Sequence, residues 1–419
     1  MKVIRDIEPT DKQNFIWNMI GSGVYSASSM LLSLFVINIV GAEEGGMFSI
    51  ALTLSQMLVY IAYFEMRTYQ ITDSKNEFKF SEYHMAKIIL CVIMLIVSLG
   101  YILIKNYNFE KSIIVMLVCF LRLLDGYADV YESHFQKIGR LDLAGKSLAY
   151  RTILFVLVLL VGLLLSGKLV ISLFIADIIA IFGVWYYDIR RMQMFCKIEV
   201  SLDISKIVKI IRSCFPLFIG VFCWTYILSA SRIAIDGNMT NKYQAYYQII
   251  FMPVSVINLF AGFVLRPLLP RLSESFYTKK FHDFKMILMK VFLGMGVITL
   301  VCMIGGFLLG IPILSMLSGC NLTPYKGILV FLLLAGGINA VGFTMYYILT
   351  IMRCMKSVLL DYIVVAIVAG IISGPLVRLD GIRGASISFF VTVVLLCVLF
   401  GGSIFIESYK IHKSIDSQC

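Results

Sequence analysis

Long apolar runs alternate with short polar stretches along this chain. Twelve runs can be drawn, at residues 14–40, 46–66, 85–104, 112–132, 147–166, 169–187, 213–235, 243–266, 286–310, 327–351, 357–377 and 384–406. A hydrocarbon core ~30 Å thick needs about 20 apolar residues in a helix, and each run meets or approaches that length. The pattern therefore predicts an all-α polytopic membrane protein with twelve transmembrane helices.

The polar stretches fall into two alternating classes. On the side away from the N-terminus the basic residues are Lys105, Lys111, Lys168, Lys242, Lys326, Arg378 and Arg383. Arg122 and Arg232 lie within runs, and the rest of the 36 Lys and Arg lie on the N-terminal side. Basic loops stay in the cytoplasm, so both termini are expected there. One span more or fewer would scramble the alternation and erase this bias.

The runs also divide by position. Six precede the basic connector 188–212 and six follow it. Residues 1–205 are expected to form an N-terminal six-helix bundle and residues 206–419 a C-terminal one. An even number of spans per half gives both the same orientation, so a pseudo-two-fold axis would lie along the membrane normal. Weak internal similarity agrees: Ile39-Val40-Gly41 ends the first run and Ile235-Asp236-Gly237 the seventh. The second and eighth runs then lead to Arg67 and Arg266.

Composition sharpens this picture. The chain is 60% hydrophobic and 15% charged, with net charge +11. Its basic residues are scattered over the cytoplasmic segments, which suits anionic lipid headgroups. No nucleic-acid partner is expected. The first run is too long for a signal peptide and follows a charged, polar start, so no cleaved leader is expected. The ten cysteines form no CxxC pair, and the four histidines are far apart in sequence, so no metal site is expected. Gly162 to Lys168 matches the start of a phosphate-binding loop, but Leu169 stands where a Ser or Thr must hold Mg²⁺. No other enzyme signature is present, and the chain is read as a non-enzyme.

Charge inside the runs is the chemical signal. An ionisable side chain at membrane depth costs at least ~2.5–3.5 kcal/mol and usually faces a cavity or a partner. The fourth run carries Arg122, Asp125, Asp129 and Glu132, whose spacing of 3, 4 and 3 puts all four on one helical face. Arg122 lies about 16 Å past Lys111, near the midplane. Asp177 has similar depth in the sixth run, and Arg232 and Asp236 stand at i, i+4 near the outer end of the seventh. A blander reading competes. Arg122–Asp125 and Arg232–Asp236 can neutralise one another within a helix. Arg67, Arg151, Arg266 and Arg353, at cytoplasmic span ends, can snorkel to headgroups. The first run is rich in Gly and Ser (Gly21, Ser22, Gly23, Ser26, Ser28, Ser29), which suits close helix packing or a cavity lining. Pro216 and Pro253 mark places where a helix bends or borders a cavity.

Several stretches resemble a known family. Arg67-Thr-Tyr-Gln-Ile-Thr-Asp73, Gly139-Arg-Leu-Asp-Leu-Ala-Gly-Lys146, Phe215-Pro216-Leu217 and Ile235-Asp236 are similar to elements of the bacterial O-antigen and capsule repeat-unit flippases. These belong to the multidrug/oligosaccharidyl-lipid/polysaccharide exporter superfamily. The resemblance implies two six-helix bundles around a central cavity in the bacterial cytoplasmic membrane. It implies a substrate of a short oligosaccharide joined through diphosphate to a polyprenyl lipid, and pathway partners such as a polysaccharide polymerase and its chain-length machinery.

Arginine suits a diphosphate, because its planar fork binds phosphate oxygens in pairs. By position, Arg67 and Arg266 are expected to meet the headgroup at the cytoplasmic mouth, Arg122 midway and Arg232 near the exit. Asp125 and Asp129 join the cavity candidates. No cofactor is expected beyond H⁺ or Na⁺ coupling, with Asp177 the candidate carrier. The alternative is a cation-coupled small-molecule or drug antiporter of the same superfamily. A membrane glycosyltransferase or polymerase, a third reading, lacks the large outer loop it needs.

Overall fold

The computed structural model describes residues 9–73, 76–199, 201, 203–265, 268–278 and 280–416, and no strand occurs among them. Helix α1 (Asp11–Tyr63) starts from a capping box. The Thr10 side chain accepts from the Gln13 N–H at 3.3 Å, and the Gln13 side chain accepts from the Thr10 N–H at 3.1 Å. At 53 residues this helix would run about 80 Å if straight, far beyond a bilayer core. It breaks at Gly41, whose φ of 84° and ψ of 177° are essentially restricted to glycine. The chain then doubles back. A Cβ on Gly45 would stand 2.6 Å from Ile37 Cγ1, an approach that eight residues of straight helix, about 12 Å of rise, cannot give.

The remaining helices are α2 (Met66–Thr72), α3 (Phe80–Lys105), α4 (Phe109–Lys137), α5 (Leu141–Ser166) and α6 (Leu169–Met192). They continue as α7 (Ile204–Asn238), α8 (Asn241–Leu265), α9 (Leu269–Tyr277), α10 (Phe281–Ser318), α11 (Lys326–Ile351) and α12 (Met355–Asp416). Helix α12 repeats the device of α1: it breaks at Asp380 and Gly381, and a Cβ on Gly384 would meet the Leu376 carbonyl oxygen at 1.9 Å. Pro216 and Pro253 stay inside α7 and α8. The stretch resembling a phosphate loop is the end of α5, closed by left-handed Gly167 whose N–H donates to the Leu163 carbonyl at 2.8 Å.

Nine helical runs among the described residues are long and apolar enough to cross a bilayer. Along them large apolar side chains stand open, among them Ile104, Leu165 and Met316, each more than 80% exposed. Such a surface fits hydrocarbon rather than water, and the chain is a multi-pass membrane protein. Helix α4 is not among the nine, because its charged face lowers its hydropathy; at 29 residues, ~44 Å, it has the length.

The chain divides into two compact units, Met1–Phe222 and Cys223–Cys419. In the first, α4 packs against α1, α2, α3, α5 and α6. Helices α1 and α5 approach backbone to backbone: a Cβ on Gly145 would lie 2.3 Å from the Trp17 carbonyl oxygen, and one on Gly21 2.5 Å from the Gly145 carbonyl oxygen. Part of the small-residue stripe of the first run thus serves close packing. In the second unit α11 is central, touching α8, α10 and α12.

Candidate functional site

The face of α4 read from the 3, 4, 3 spacing is the centre of a buried charge cluster in the first unit. Neighbouring helices bring its partners. Arg67, on α2, donates from Nη1 to Asp129 Oδ1 and Glu132 Oε2, both at 3.2 Å, and from Nε and Nη2 to Gln136 Oε1. Lys87, on α3, is wholly buried; it donates to Asp129 Oδ2 at 2.9 Å and to the Ala62 and Tyr63 carbonyls at the end of α1. Arg122 donates to Asp125 Oδ2 at 3.0 Å, the Tyr25 hydroxyl at 2.8 Å and Ser29 Oγ at 3.1 Å. Arg151, on α5, reaches Glu132 at 2.5 Å, Asp188 at 3.2 Å and Asp125 at 3.5 Å. Asp188 also accepts from Ser147 Oγ at 2.7 Å.

Four cations (Arg67, Lys87, Arg122, Arg151) thus meet four carboxylates (Asp125, Asp129, Glu132, Asp188). A bare charge at this burial would cost several kcal/mol, so each is retained only because its partners surround it. Arg67 is the open member: 35% of its side chain is exposed, against 7% for Arg122 and 6% for Arg151.

Beside the cluster lies a cavity of about 270 Å³, room for several waters. Glu65, Arg67, Asp125, Asp129, Glu132 and Arg151 line it, with Tyr25, Tyr60, Tyr63 and Thr68 supplying hydroxyls. Glu65 is held there by an unusual turn. It and Phe64 are consecutive left-handed residues, at φ 53° and 49°, between α1 and α2. Such backbone costs of order 1–3 kcal/mol per residue unless packing enforces it. The Phe64 ring stacks on Phe218 at 4.4 Å, which does so here.

Arg232 in the second unit is a different case. It is buried, with no carboxylate within ion-pair distance among the described residues. Its guanidinium lies 5.0 Å over the Phe251 ring. Nη1 donates to Gln248 Oε1 at 3.4 Å and Nη2 to the Leu228 carbonyl at 3.3 Å, while Nε has no partner.

The sequence-predicted residues therefore fare differently. Arg122, Asp125, Asp129 and Arg67 come together. Arg266 lies outside the described residues. Arg232 stands apart in the second unit, with its guanidinium turned to α8 rather than to Asp236 one turn along its own helix. Asp177 is buried with neither oxygen partnered and does not join the cluster. Arg151 is not a snorkelling residue: three carboxylates hold it inside the unit. Lys87 and Asp188 were not singled out from the sequence, and Glu65 only as a charge near a cytoplasmic span end. Lys87 and Glu65 look like ordinary span-end charges, and Asp188 opens what reads as a basic connector. The connector itself pairs back onto the first unit, through Lys206 with Glu82 at 2.9 Å and Lys209 with Glu77.

No protein-family model matches the chain. A capsular polysaccharide biosynthesis protein, CapF, of Staphylococcus aureus is 23% identical over 316 residues, which span 73% of this chain and 77% of that protein. Among solved structures, the lipid II flippase MurJ in an inward closed conformation superposes with a TM-score of 0.72 at 14% identity, covering 93% of this chain and 87% of that one. A multidrug resistance MATE family transporter of the MOP superfamily, inward-facing, superposes with a TM-score of 0.65 at 10% identity, covering 94% and 96%. This chain is a multi-pass membrane protein with the fold shared by these transporters.

Proposed function

We propose that the chain flips polyprenyl-diphosphate-linked oligosaccharide repeat units across the bacterial cytoplasmic membrane by alternating access, for surface polysaccharide assembly. The observation that carries this reading is the relationship to CapF over most of both chains. The fold is compatible with it, since a lipid II flippase shares that fold. The proposed topology counts the hairpins of α1 and α12 as two spans each and α4 as one, for twelve spans in two six-helix bundles with both termini cytoplasmic. A cavity lined by hydroxyls and charged groups suits a sugar headgroup, and the exposed apolar surfaces suit a lipid tail left in the bilayer. Arg67, the open base of the cluster, is the cluster's cation available to a ligand; Arg122 serves chiefly to neutralise Asp125. Asp177, with no partner, is the candidate proton or Na⁺ carrier.

A second reading, a cation-coupled small-molecule or drug antiporter, is favoured by one observation. The cavity lining holds four carboxylates (Glu65, Asp125, Asp129, Glu132) but two arginines (Arg67, Arg151). Deletion of the gene separates the two. Under the flippase reading surface polysaccharide disappears and lipid-linked repeat units accumulate facing the cytoplasm. Normal polysaccharide in a clean deletion, with raised drug sensitivity, would favour the antiporter.

A further inference from the structure

We infer that Arg232, Gln244 and Gln248 form an anion subsite in the second unit that receives a phosphate of the substrate headgroup, an assignment that rests on the proposed transport of a lipid-linked diphosphate. The contrast between the units carries the argument. Each cation of the first-unit cluster is matched by a carboxylate, so an incoming anion must compete with an internal one. Arg232 has no such competitor among the described residues. The Phe251 ring beneath it, itself met edge-on by Phe389 at 4.9 Å, supports the cation without neutralising it.

The neighbouring amides show the same incompleteness. Gln244 is 1% exposed, yet neither its Oε1 nor its Nε2 has a partner. It lies four residues before Gln248, on the same face of α8. Gln248 accepts from Arg232 and is only partly buried. Buried polar atoms are almost always hydrogen-bonded, and a cluster of unpartnered ones marks a place for water or a ligand. The free donors here are the guanidinium Nε–H of a cation and, one helical turn from its partner Gln248, the Gln244 carboxamide. That combination selects an anion, and the guanidinium fork matches phosphate oxygens.

The test uses the full chain in nanodiscs of zwitterionic lipid, with farnesyl diphosphate as the probe and thermal unfolding as the readout. The probe should raise the wild-type Tm in a saturable way. Arg232→Gln should weaken its binding about tenfold or more, the loss expected for a charge-assisted hydrogen bond. Gln244→Leu should weaken it by a smaller factor, and Arg232→Lys should retain part of it. The exposed Arg212→Gln should bind as wild type. Without probe, Arg232→Gln should unfold no lower than wild type, because an uncompensated buried cation has been removed. A lower Tm with unchanged binding would make Arg232 structural and overturn the assignment. Should Arg232→Gln fail to fold, Arg232→Lys and Gln244→Leu decide, and wild-type affinity in both overturns it. If phosphatidylglycerol in the disc gives the same Arg232-dependent shift, the site reads bulk lipid and its link to the substrate is lost. If the wild type binds no prenyl diphosphate, the flippase reading itself fails; if it binds but the variants bind equally, only the subsite does.

Discussion

Arg151 is the keystone of the buried cluster, and its replacement has a calculable consequence. The side chain is 6% exposed and lies among Glu132, Asp188 and Asp125. Arg151→Met keeps much of its apolar stem but leaves those carboxylates without their shared base. Removing one partner of a buried ion pair typically costs about 3–5 kcal/mol, chiefly the desolvation of what remains. A unit of 222 residues shifts in Tm by about 2–4 °C per kcal/mol, so the variant should unfold about 6–20 °C below wild type. Asp188 makes its one described ion pair with Arg151. The double variant Arg151→Met/Asp188→Asn should therefore recover part of the loss, with a coupling of at least ~1 kcal/mol. The assay is thermal unfolding in detergent, followed by the reactivity of buried thiols such as Cys119 and Cys214. A single variant within 2 °C of wild type, or a double variant no better than the single, refutes the reasoning.

Other expectations follow from the same geometry. Gly145→Val should block stable insertion, because its Cβ would lie 2.3 Å from the Trp17 carbonyl oxygen, whereas Gly23→Ala, with nothing within 4 Å, should be neutral; the yield of folded protein measures both. Gly41→Ala should lower stability by about 1–3 kcal/mol, since alanine is strained at that backbone conformation, and an unchanged Tm would show that the break is not imposed by glycine. Asp177→Asn should leave the fold intact, having no partner to lose. If Asp177 carries the coupling ion, the same variant should abolish dependence of transport on the proton or Na⁺ gradient; unchanged dependence makes it structural.

Much of the fold was legible because hydropathy is a local property. The run boundaries at Gly41 and near Asp380 coincide with the backbone breaks, since a lipid-spanning helix must end in polar or turn-forming residues. The charged face of α4 was legible for the same reason, as spacing alone puts Arg122, Asp125, Asp129 and Glu132 on one side. Their partners were not legible. Lys87, Arg151 and Asp188 lie on other helices, and which helices adjoin is decided by packing such as the Gly21–Gly145 approach. Near a span end an arginine that will be buried reads the same as one that will snorkel. Arg232 and Asp236 show the converse limit: i, i+4 spacing permits a pair, but the Phe251 ring and Gln248 on α8 draw the guanidinium away.

The account stands or falls on what crosses the membrane. The decisive measurement places the purified chain in liposomes loaded with a polyprenyl-diphosphate-linked oligosaccharide labelled on the sugar, and follows its appearance on the opposite leaflet. Protein-dependent transfer that Arg232→Gln impairs is the predicted result. No transfer of that lipid, together with exchange of a cationic drug against H⁺ or Na⁺, would contradict the account.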